Sequence, residues 1–121
     1  MRRCRSTSGQ ATVEFALVLP LVVIVASGLI VIGIAVRNEL AVELAAREGA
    51  RAAAVSASPG TAATAAATRA VRLPIEVSTV DDGSTVTVTV TYTDSIDVAV
   101  LGALVGPVTH AASVTMAVEP P

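Results

Sequence analysis

The chain has 121 residues, of which 53% are hydrophobic and only 2% aromatic, so its apolar content is mainly Ala, Val, Leu and Ile, which supports one small domain with a thin core. Its net charge of −2, with no basic cluster beyond the N-terminus, argues against a nucleic-acid partner. One Cys and one His are too few for a disulfide framework or a clustered metal site.

In chain order, Arg2, Arg3 and Arg5 come first, and residues 15–36 then carry no charged side chain. That run is about 22 residues long, and at about 1.5 Å per residue it spans roughly 33 Å as a helix, enough for the hydrocarbon of a bilayer. A small domain has no core large enough to enclose such a rod, so membrane lipid is its expected surroundings. The positive-inside rule puts the Arg cluster in the cytoplasm and residue 38 onward outside, against a weaker contrary contribution from Arg37, Arg47 and Arg51. Cys4 follows only three residues, too few for a lipoprotein signal, and reads as inert. Pro20 falls inside the run, where its missing N–H predicts a kink.

A secretory signal peptide would have a shorter apolar part and would end at a cleavage site. Here the run continues into residues 38–55 (NELAVELAAREGARAAAV), rich in helix formers. Leu40, Leu44, Ala45, Gly49, Ala52 and Val55 follow one side of that helix, and Glu43 and Arg47 form an i, i+4 pair. One long helix over about residues 12–55 is expected. Ser58-Pro59-Gly60 turns the chain, and residues 61–73 read as a second helix with Thr61 as N-cap and Pro74 as its stop.

From Ile75 the period changes to two. Asp81-Asp82-Gly83-Ser84 predicts a turn between strands at 75–80 and 85–93, the second with Val86, Val88, Val90 and Tyr92 on its helix-facing side and Thr on the other. Residues 94–108 are apolar but too short to span a bilayer; burial as a short helix is favoured over resting on the membrane surface. Residues 113–118 alternate again and predict a third strand. The fold class is α+β: a long N-terminal transmembrane helix continuing into an amphipathic helix, then a short helix and a small antiparallel three-stranded sheet. The expected divisions are 1–9 as a cytoplasmic leader, 10–55 as the long helix and 56–121 as a small extracytoplasmic domain.

No constellation proposes a reaction. Asp94 with Asp97, and Asp81 with Asp82, do not fit a calcium loop; His110 has no nucleophile to serve, and no phosphate-binding loop is present. These polar residues read as surface, so no catalytic, cofactor or metal residue is assigned and no enzyme is expected. Glu14 stands apart. A carboxylate at the start of the apolar run costs a few kcal/mol unless paired, protonated or held at the interface.

Residues 9–15 (GQATVEF) resemble a prepilin cleavage site: a basic leader, Gly, then a Glu five residues into the mature chain and an apolar helix. More closely, GQATVEFALVLPL, NELAVELAAREGARAAA and the late ASVTMAVEP resemble the TadE-like family, pseudopilin-type assembly proteins of tight-adherence (Flp-type) pilus systems. The resemblance implies that a membrane prepilin peptidase cuts after Gly9, that Gln10 becomes the new N-terminus and that Glu14 is the pilin-type glutamate. Its implied partners are other pilin or pseudopilin subunits, met through the N-terminal helix. Ser8, where a basic residue is typical, departs from the pattern. The other reading is an uncleaved single-pass anchor whose external domain binds another envelope component.

Overall fold

A computed structural model describes residues 8–97 and 101–120. Arg2, Arg3, Cys4 and Arg5, and part of the 94–108 segment, lie outside the described residues. The elements in order are α1 (Ser8–Ala54), α2 (Pro59–Ala70), β1 (Glu76–Asp81), β2 (Thr85–Asp94), α3 (Leu101–Val105) and β3 (Val108–Ala117). The strands form one antiparallel sheet in the order β1-β2-β3, so the α+β class read from the sequence holds.

Contacts divide the chain into two units, the first ending at Gly33 and the second starting at Ile34. The described part of the first unit is helix alone. Its large apolar side chains are exposed, from Val13 and Phe15 through Leu29 and Ile32. Pro20 lies inside α1, which continues on both sides of it.

The second unit has a core of small side chains. Val42, Ala45, Ala46, Ala50 and Ala53 of α1, Ala63 and Ala67 of α2, and Val86, Val88 and Val90 of β2 are all fully buried. The spacing 42, 46, 50 and 53 is one helical stripe. The face that packs is therefore rotated from the expected one: Leu40, Leu44 and Val55 are exposed. The reason is room. A Cβ on Gly49 would stand 3.1 Å from Val88 Cγ1 and 3.2 Å from the Ala63 carbonyl oxygen, so α1 lies too close to its neighbours to admit leucine. Ala and Gly permit that approach, and branched valines of β2 fill what remains.

α2 begins at Pro59, not Thr61. Proline suits the first turn, where its missing N–H costs nothing, and Ser58 precedes it without a side-chain cap bond. The helix stops at Ala70 with Val71 extended, ahead of the residue before Pro74, which that proline biases away from helix.

The β1–β2 turn is held by Asp82. Its Oδ1 accepts the Ser84 and Thr85 backbone N–H groups at 2.9 and 2.7 Å, and Gly83 supplies the positive φ of 84°. These bonds, those from the Thr85 and Ser84 amides first, hold the Asp82 carboxyl well below the usual carboxylate range.

β3 starts five residues earlier than the alternation predicts, because β2 continues to Asp94 and pairs it with Val108. The expected burial of the 94–108 segment is not observed: no residue of α3 is buried, and Leu104 is 77% exposed. On the sheet face away from the helices, Thr87 pairs with Thr115 at 2.8 Å and Thr89 with Ser113 at 3.0 Å.

Candidate assembly surface

The residues singled out by the sequence fall along the beginning of α1. Gly9 and Gln10 are in its first turns, Glu14 follows one turn after Gln10, and all three are exposed. At 3.6 residues per turn, Gln10 and Glu14 share one side of the helix, about 6 Å apart along its axis. Beyond Glu14 the exposed surface is apolar as far as Arg37. The one hydroxyl in that run needs no partner from outside, since Ser27 Oγ donates to the Val23 carbonyl at 2.8 Å. Glu14 is thus the only carboxylate on a surface otherwise suited to lipid or to another helix.

A second polar group forms inside the second unit, where α1 meets the sheet. Asn38, only 5% exposed, donates from Nδ2 to Asp94 Oδ2 at 2.9 Å. His110, only 6% exposed, shares a 2.9 Å hydrogen bond between Nδ1 and Glu39 Oε2. The Tyr92 ring is stacked on His110 at 6.4 Å. Burial raises the Tyr92 phenol above its ordinary value, and the Asp94 carboxylate adds to that.

These contacts correct the reading of Asp94 and His110 as plain surface residues. Nothing in their own strands marks them; the signal is Asn38-Glu39, a polar pair directly after the apolar run, whose partners only folding reveals. Among the described residues no buried side-chain nitrogen or oxygen lacks a hydrogen-bond partner, and no group of three or more His, Cys, Asp or Glu is placed to hold a metal. The cluster fastens α1 to the sheet. The expected Glu43–Arg47 ion pair is formed on the exposed side of α1.

A helix long and apolar enough to cross a membrane, none of it buried over its most apolar stretch and followed by a small α+β unit, defines the class of chain. More particularly, residues 9–51 match the family model described as TadE-like protein. That span takes in Gly9, Glu14 and the apolar run, and it ends within the part of α1 that packs on the sheet. No curated protein and no solved structure matches the chain.

Proposed function

We propose that the chain is a membrane-anchored pseudopilin, a minor pilin-like subunit for assembly of a tight-adherence (Flp-type) pilus. It acts by helix–helix assembly after removal of its leader. The observation that carries this reading is an exposed apolar helix with a single carboxylate, Glu14, at its beginning, inside a TadE-like segment. The N-terminus is cytoplasmic, residues 15–36 cross the membrane, and the second unit lies outside the cytoplasm.

The chemistry follows from that placement. A prepilin peptidase cuts between Gly9 and Gln10, which discards the Arg cluster and leaves an α-ammonium at the membrane edge. Glu14 of a neighbouring subunit matches that charge when helices bundle. Each charge alone carries a desolvation cost in lipid, and pairing them removes much of it. The exposed Leu40 and Leu44 extend the apolar side of α1 past Arg37, giving neighbouring helices a surface beyond the lipid-length run.

Two variants in the native host test the scheme. Gly9→Ala leaves the full-length precursor uncut, read as a larger band on immunoblots. Glu14→Ala is still cut but loses crosslinks between membrane helices of neighbouring subunits. Undiminished crosslinking in Glu14→Ala contradicts the charge-pair mechanism, and a Gly9→Ala chain of mature size contradicts the cleavage site.

A further inference from the structure

We propose that the end of the second unit where α1 enters is a lipid-contacting surface, with the apolar side chains of α3 inserted among lipid chains and Arg37 and Arg72 on anionic phospholipid headgroups. This rests on the membrane-anchor reading above and adds to it a second, peripheral hold on the same bilayer.

The unit has two distinct ends. At one, Val118 N donates to the Ser84 carbonyl and Glu119 N to the Ala54 carbonyl, so the β1–β2 turn and the last turn of α1 lie together. At the other lie the start of the unit's stretch of α1, the α2–β1 link and the β2–α3–β3 connection. Asn38 fastens that arrangement. It donates to Asp94, the last residue of β2, and it also lines a groove with Arg37, Ala70, Arg72 and Leu73. The Glu39–His110 bond holds β3 beside the same turn of α1. α3 comes directly before Val108, which pairs in the sheet with Asp94, and Asp94 is itself bonded to Asn38, the residue after Arg37.

Its surface is wrong for water. Leu104 is 77% and Val105 56% exposed, and residues 101–108 carry no charge. Gly102 lets α3 lie close to the segment that follows β2, since a Cβ there would collide with the Ile96 carbonyl oxygen, and Gly106, at a φ of 69°, closes the helix. The backbone thus presents Leu104 and Val105 outward instead of folding them in. Exposed Ile34 and Val36, the last residues of the membrane-length run, belong to this same end of the unit. The nearest apolar phase is the bilayer those residues leave. Arg37 and Arg72, both exposed, flank the groove, and basic side chains beside an apolar insertion are the arrangement that binds anionic lipid surfaces.

The chain has no Trp, so single Trp probes report without background. The full-length protein is reconstituted into phosphatidylcholine vesicles with and without phosphatidylglycerol, and Trp quenching by brominated lipid is measured for Leu104→Trp, Val80→Trp and Val25→Trp. Val80 is 65% exposed near the β1–β2 turn, at the opposite end, and Val25 reports the anchor. The expected result is severalfold stronger quenching of Leu104→Trp than of Val80→Trp, rising with phosphatidylglycerol and losing that rise when Arg37→Gln and Arg72→Gln are added. Quenching of Leu104→Trp no greater than of Val80→Trp, with Val25→Trp strongly quenched, overturns the lipid-contact surface and leaves the anchor standing. Absence of quenching in Val25→Trp as well overturns both.

Discussion

At the start of the apolar run, Glu14 would cost about 2.5–3.5 kcal/mol if a carboxylate of its kind were carried to the middle of a bilayer. An interface position lowers that figure, and an ammonium from a second subunit lowers it further. Tyr92 shows a different balance, because its neighbours penalise ionisation. Its folded pKa is raised, so stability is unaffected below about pH 10.0 and falls above it, where the unfolded chain ionises first. As the single tyrosine in a chain without Trp, it can be followed alone by ultraviolet absorbance. The titration midpoint of the detergent-solubilised protein is expected above 10.0, and Asp94→Asn moves it down. A midpoint at or below 10.0 in the unsubstituted protein contradicts the described surroundings of the ring.

Helix and sheet meet over the narrowest side chains available, and Gly49 is where the spacing is tightest. Gly49→Leu forces its side chain against Val88 and the Ala63 carbonyl, costing about 1–3 kcal/mol or more in stability. Glu48→Leu, one position away and exposed, leaves the melting temperature nearly unchanged. Equal melting temperatures for the two variants contradict the close packing of α1 on the sheet. The elements themselves were largely legible in the sequence. The Val/Thr alternation of β2 is local information, and so is the Asp-Gly turn before it. The packed side of α1 was not legible, because hydrophobicity points to Leu40 and Leu44 while the choice is made by how near the sheet comes. The first half of β3 was hidden for a related reason: Thr109 to Ala112 alternate weakly, and pairing with Val90 to Thr93 decides their conformation.

Taken as a whole, the molecule joins a helix made for an apolar phase to a unit whose own core is thin. The unit's largest fully buried side chains are valines. Its attachment to α1 by Asn38–Asp94 and Glu39–His110 couples the end of the apolar run to the sheet, and this coupling could not be read from residues 94 and 110 alone. Gly9, Gln10 and Glu14, by contrast, are proposed from their order along the chain. The proposed assembly depends on a new N-terminus at Gln10. The intact mass of the chain purified from its own host, with an active prepilin peptidase, tests this most directly: a species that begins at Gln10 and lacks residues 1–9 is expected, and a chain retaining Met1 through Gly9 would contradict the proposal.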